Sequence, residues 1–195
     1  MANFYTADKI TAKAEGGYQD NPKDKGNFYN GVLIGTNHGI TPAVYKEYYG
    51  KVPTVAEMKA LPATEAQKIR KKLYWDRIKG DLVSNQSIAN IWYDDAINGG
   101  VYDAAKDMQR TLGIKQDGIV GSDTISKVNN YTNQLELFNK YKLLRADEYK
   151  SFNNPEFEDG WLKRLDKFSF IPNVGIILLF VCLIGMFYYY KQNLA

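Results

Sequence analysis

Three residues able to do chemistry, Glu15, Asp24 and Thr36, stand within one short stretch rich in glycine and turn formers. Glu15 precedes Gly16-Gly17-Tyr18, Asn21-Pro22 opens a turn that carries Asp24, and the chain returns through Thr36 to Gly39-Ile40-Thr41. Cleaving a glycosidic bond takes a carboxylic acid to protonate the leaving oxygen and a second polar group to position water or stabilise the sugar cation. A glutamate where a helix stops at two glycines suits the first role. Negative charge is disfavoured at a helix C-terminus, and whatever disfavours the carboxylate keeps the acid protonated for catalysis. Taken singly, Glu15 reads as a solvated helix-end glutamate and Asp24 as a turn residue behind Pro22.

The spelling is more specific than the residue types. EGGYQDNPKDKG followed by TNHGIT resembles the opening motif of the lysozyme-like muramidases of glycoside hydrolase family 108. The resemblance implies an all-α, lysozyme-like fold with a small β-hairpin at the active-site cleft, peptidoglycan as substrate, and Glu15 as the catalytic acid. It also implies Asp24 as a second carboxylate and Thr36 as a hydrogen-bonding partner of the attacking water. Such acid–base cleavage needs no metal or organic cofactor. On the substrate side, Tyr18 packs behind the glutamate or meets the sugar, and the Asn98 amide either suits an N-acetyl group or caps a helix. His38 stands at a variable place in the motif. The chain departs from the family where Asn27 replaces a second glycine and residues 28–35 intervene before Thr36. Asn30-Gly31 within that insertion predicts a tight hairpin turn between Phe28-Tyr29 and Val32-Leu33-Ile34.

Composition narrows the alternatives. A chain of 195 residues, with 25 Lys and Arg against 22 Asp and Glu, is mildly basic and intersperses its charges. A nucleic-acid binder would concentrate them on one stripe. One cysteine (Cys182) and one histidine (His38) exclude an intrachain disulfide and a structural zinc site. Aromatic residues make up 14% of the chain, with 15 tyrosines, most of them expected in the core or on half-buried surface.

The punctuation is helical throughout the body. Thr41-Pro42 predicts an N-cap followed by proline at the first helical position, with Gly50 as the stop. Thr54-Val55-Ala56-Glu57 and Thr64-Glu65-Ala66-Gln67 are both spelled as capping boxes. The second should open a helix running to about Lys79, with Ala66, Ile69 and Leu73 on one face. Further helices are expected from about Ser84 to Asn98, from Tyr102 to Leu112, and from Thr132 to Tyr149. The last should offer Leu135, Leu137, Phe138, Tyr141 and Leu144 to the core. One of Asp94 and Asp95 is expected to be buried and paired with a basic residue. Gln109-Arg110-Thr111-Leu112-Gly113, Asp117-Gly118 and Gly160-Trp161 with Arg164 resemble the peptidoglycan-binding segment that follows the family 108 catalytic segment. The expected organisation is 1–95 catalytic, 96–168 peptidoglycan-binding and packed on it as one body, and 169–191 a transmembrane helix.

That last expectation rests on hydropathy. FIPNVGIILLFVCLIGMFYYY, residues 170–190, carries no charge, and about 20 apolar residues cross a bilayer. Tyr188-Tyr189-Tyr190 suits an interfacial belt. The amino terminus has no basic, apolar leader, so the lipid bilayer is reached through this segment alone. Lys163, Arg164 and Lys167 before the span, against Lys191 beyond it, place the body on the cytoplasmic side. Inner, host-cell and virion membranes all fit. Two readings of function stand side by side. One is a muramidase cutting the β-1,4 bond between N-acetylmuramic acid and N-acetylglucosamine. The other is a non-catalytic lysozyme-like scaffold that binds peptidoglycan or a protein partner at a membrane.

Overall fold

The structure, a computed structural model, describes residues 1–12 and 16–172. Glu15 and all of the expected membrane span beyond residue 172 lie outside the described residues. Among the described residues no helix is long and apolar enough to cross a membrane. Phe168 is buried and Phe170 packs on Phe138 at 5.9 Å. The core therefore extends past residue 168, where the span was expected to begin.

The described chain is mostly helical. Helix α1 covers Phe4–Thr11, α2 Pro42–Tyr49, α3 Val55–Ala60, α4 Ala63–Arg70 and α5 Gln86–Gly99. Then come α6 over Val101–Thr111, α7 over Ser122–Asn129, α8 over Gln134–Ser151 and α9 over Pro155–Leu165. A two-stranded antiparallel sheet, β1 (Phe28–Tyr29) and β2 (Val32–Leu33), pairs Phe28 with Leu33 and Tyr29 with Val32. Asn30 and Gly31, at φ 47° and 80°, form the expected tight turn with both central residues left-handed.

Local signals set most helix ends. The Thr41 hydroxyl accepts the Val44 N–H, Pro42 follows, and Gly50 closes α2 in the left-handed conformation. Thr54 and Glu57 complete a reciprocal capping box at α3. The second capping-box spelling does not operate. α4 starts at Ala63 with Pro62 at the N-cap and no side-chain cap, because the chain is already helical at Thr64. The continuous helix expected to Lys79 is also interrupted. A π-helical turn over Lys71–Trp75 is closed by the Asp76 N–H on the Lys71 carbonyl at 2.8 Å. The turn changes which core each residue meets: Leu73 faces one hydrophobic cluster, Trp75 and Ile78 the other.

The larger cluster is built around α5, whose residues Ser87–Ala96 are all buried. Such a helix must be surrounded, and α1, α6 and α8 pack against it. Phe4, Trp75, Trp92, Tyr93, Met108, Leu137 and Tyr141 fill the space between. Residues from Ala2 to Phe168 share this core, so the amino- and carboxy-terminal segments form one body. The smaller cluster joins Ile34 and Ile40 of the hairpin region to Tyr45, Met58, Leu61, Ile69 and Leu73. Leu135, expected in the core, is exposed on the first turn of α8.

Both Asp94 and Asp95 are buried and paired, not one of them. Asp94 takes Arg164 of α9 at 2.8 Å, and Asp95 takes Arg145 of α8 at 2.8 Å. Arg145 also meets Glu148 at 2.7 Å and Asp107 at 3.6 Å, and the Tyr141 phenol donates to Asp95. Burial lifts Asp95 to about 7 against the pull of Arg145 and Tyr141. Burial and the neighbouring Glu148 lift Asp107 to about 6.

Candidate active site

The end of α1 is fixed by two buried polar connections. Asp8 accepts Arg70 Nε at 2.7 Å and Nη2 at 3.0 Å, the Tyr93 phenol at 2.8 Å and the Gln67 amide at 2.9 Å. Burial works to raise the Asp8 carboxyl, but Arg70, Gln67 and Tyr93 outweigh it and hold it below its ordinary value. A carboxylate with four donors is saturated, so Asp8 braces the fold and is not a catalytic acid. One turn on, the Thr11 hydroxyl donates to Asp94 at 3.0 Å. Arg70 also donates from Nη1 to the His38 carbonyl at 2.8 Å. One guanidinium thus ties α1, α4 and the loop that precedes Gly39-Ile40-Thr41. Beside these residues an open groove of about 670 Å³ runs between α1 and α4, with Tyr5, Asp8, Ala12 and Gln67 on its walls. Ala12 is the last described residue before Lys13-Ala14-Glu15.

Asp24 and Thr36 are brought together by a residue that sequence reasoning missed. The Gln19 backbone exchanges two hydrogen bonds with Thr36, each 2.8 Å. The Gln19 side chain donates to Asp24 Oδ2 at 2.8 Å and to Asn27 Oδ1 at 2.9 Å. Its carbonyl oxygen accepts the Asn27 amide at 2.8 Å and the Asn21 N–H at 3.0 Å. The other Asp24 oxygen accepts the Gly26 N–H at 2.9 Å. A Cβ on Gly26 would stand 3.1 Å from that oxygen, so a side chain there would crowd the turn.

Asn27 is the departure from the family spelling, and it is wholly buried. Its amide donates to the Asn21 carbonyl at 2.9 Å as well as to Gln19. Its backbone carbonyl receives the N–H groups of Ile34 and Gly35 at 2.9 and 3.0 Å. The longer hairpin is therefore pinned at its base. Asp24 itself is exposed, while the Thr36 hydroxyl is buried with no protein partner among the described residues.

Tyr18 closes the same structure from outside. Its phenol donates to the Ile34 carbonyl at 2.9 Å. Gly35 lies against its ring at φ 90°, where a Cβ would come within 2.6 Å of the aromatic carbons. Asn98 lies on the last turn of α5, where its amide donates to the Asp94 carbonyl at 2.6 Å. The cap of that helix is Gly100, not Asn98. Among the described residues no hydrogen bond joins Asn98 to Gln19, Asp24 or Thr36. The signal for Gln19 and Asn27 was two amides flanking Asp24, but their partnership needs the fold.

Residues 9–100 match the family model of glycosyl hydrolase 108. Over that stretch the chain belongs to the glycosyl hydrolase 108 family. The matched segment contains Glu15, the Gln19–Asp24–Asn27 network, Thr36 and α5. A solved structure of Brucella abortus SagA is similar over 84% of this chain and 90% of its own, at 31% identity and a TM-score of 0.72. That coverage exceeds the family match, so the likeness runs on into the helices beyond Gly100. No curated protein sequence matches the chain. A glycosyl hydrolase 108 segment and a mostly helical body with a small hairpin together support a lysozyme-like, peptidoglycan-hydrolase role.

Proposed function

We propose that the protein hydrolyses the β-1,4 bond between N-acetylmuramic acid and N-acetylglucosamine in peptidoglycan, with Glu15 as general acid. The observation that carries this reading is the glycosyl hydrolase 108 match across residues 9–100, which takes in Glu15 and the turn and hairpin of residues 18–36, here called the lip. Supporting it, α1, which ends four residues before Glu15 in the sequence, is held by buried bonds at Asp8 and Thr11. Asp24 is exposed at the lip, and its carboxylate is oriented by neutral donors that leave each oxygen a free lone pair. In this reading Asp24 steadies positive charge at the anomeric carbon or orients water, and the Thr36 hydroxyl helps hold that water. Tyr18 supports the lip from behind. Residues 96–168 bind the polymer, and residues 169–191, with their charge-free run over 170–190, anchor the protein in a bilayer.

The test uses the full-length chain in mild detergent. Wild-type protein should release muramic-acid reducing ends from purified peptidoglycan. Glu15→Gln keeps shape and polarity but cannot deliver a proton, and should lose about a hundred- to ten-thousandfold in rate. Wall binding with no release by wild type, and the same behaviour in Glu15→Gln, would replace the hydrolase with the scaffold; unchanged release by Glu15→Gln would remove Glu15 as the acid.

A further inference from the structure

We infer that Gln19 is the positioning residue of the lip: its side chain, locked by Asn27, orients the Asp24 carboxylate, while its backbone sets the place of Thr36. The inference rests on the proposed role of Asp24 and adds two residues that neither the motif nor the family match assigns.

The geometry has only one solution. Gln19 Nε2 faces two acceptors, Asp24 Oδ2 and Asn27 Oδ1, while Oε1 faces two donors, the Asn21 N–H and Asn27 Nδ2. Turning the Gln19 amide over would set an oxygen against the Asp24 carboxylate and an NH₂ against the Asn21 N–H. Asn27 cannot turn over to compensate, because its Nδ2 also donates to the Asn21 carbonyl. The Gln19–Asn27 pair is thus a closed ring of two amide hydrogen bonds, with one partner wholly buried and all four polar atoms used. From this fixed ring one N–H projects to Asp24. The Gly26 N–H takes the other oxygen, so the carboxylate is held at two points and cannot rotate. Both donors are uncharged, and they orient the carboxylate without neutralising it. That is what a group required to stabilise positive charge needs.

The same residue links the two functional side chains. The Gln19 N–H and carbonyl pair with those of Thr36, and this backbone bridge does not depend on the Gln19 side chain. A side-chain substitution therefore releases Asp24 and leaves Thr36 in register.

The experiment is a double-mutant cycle on the full-length chain, reading kcat and KM separately on peptidoglycan, with melting temperature as the folding control. Gln19→Met keeps the length of the side chain and removes the donor. It should lower kcat about ten- to a hundredfold, the kinetic equivalent of one hydrogen bond to a charged group, with KM changed less. Asp24→Asn should lower kcat at least as much, and adding Gln19→Met to it should cost nothing further. Gln19→Glu, which keeps the shape but turns an oxygen toward Asp24, should be at least as impaired as Gln19→Met. It serves as the readout if the methionine variant does not fold. Asn27→Ser should reproduce the kcat loss in part.

If Asp24→Asn lowers kcat but the Gln19→Met loss is the same with or without it, Gln19 does not act through Asp24 and the inference is overturned. If Asp24→Asn leaves kcat intact while Glu15→Gln abolishes it, the role given to Asp24 falls, and this inference with it. The assignment of Glu15 then stands. Failure of Glu15→Gln to lower activity would instead remove the assignment of Glu15, and a wild type that releases no reducing ends would remove the hydrolase reading itself.

Discussion

The lip around Asp24 and the body behind it are held by opposite means. At the lip, Gln19, Asp24, Asn27 and Gly26 are joined by uncharged donors over separations of no more than eight residues, close to solvent. In the body, buried carboxylates meet buried or half-buried guanidinium groups across long stretches of chain: Asp8 with Arg70, Asp94 with Arg164, and Asp95 with Arg145. A buried ion pair adds little over an apolar pair of equal size, yet removing one partner strands a charge and is strongly destabilising. The body therefore breaks as a unit, whereas the lip can be altered one hydrogen bond at a time. That division lets the hairpin differ from the family spelling at Asn27 without disturbing the helices that precede and follow it.

The sharpest way to break the contrast is at Asp8. Asp8→Ala strands the Arg70 charge and should cost on the order of 3–5 kcal/mol, measured by denaturant unfolding. It should also loosen the His38 loop, which Arg70 holds. Glu15→Gln, by contrast, should remove activity with a melting temperature near wild type. A small stability loss for Asp8→Ala would show that the body is not held through this pair.

Asp95 tests the body by pH. In the fold its carboxyl keeps a proton up to about pH 7, against an ordinary value of 3.8. The folded state thus binds more protons than the unfolded chain between about pH 4 and 7, and stability falls as pH rises through that window. Asp107, raised to about 6, contributes in the same direction. Asp95→Asn should flatten most of the decline and leave the Asp107 share, as read from melting temperatures across the range. An unchanged slope would mean that Asp95 is ionised throughout. Asp8 acts oppositely: its lowered carboxyl contributes stability that is lost only as pH falls below its ordinary range.

The smallest effects concern helix starts. Thr54→Ala removes a complete capping box and should cost about 1 kcal/mol. Thr64→Ala touches no cap and should stay within about 0.5 kcal/mol. Equal losses at the two sites would contradict the assigned start of α4.

What the sequence determined by itself is local or spelled out. Proline after Thr41, glycine at residue 50, the Thr54–Glu57 box and Asn30-Gly31 act through a few neighbouring residues, so their conformations follow from adjacent side chains and backbone sterics. The family was legible too, because the Glu15 motif is a contiguous string. Tertiary structure decided whatever depends on partners distant in the chain. Thr64 lost its cap to an earlier helix start, and Leu135 stayed exposed because the surface presented by α8 depends on what α5, α6 and α9 offer it. The helix expected to reach Lys79 took a π-helical turn so that Leu73 and Trp75 could enter different cores. Asp94 and Asp95 required Arg164 and Arg145, about seventy and fifty residues away. The lip shows the division within one residue. Its tight turn follows from two amino acids, whereas the role of Gln19 exists only once Thr36 and Asn27 have been folded back against it. A hydrogen bond from a side chain is decided by where its partners arrive, and no periodicity along the chain records that.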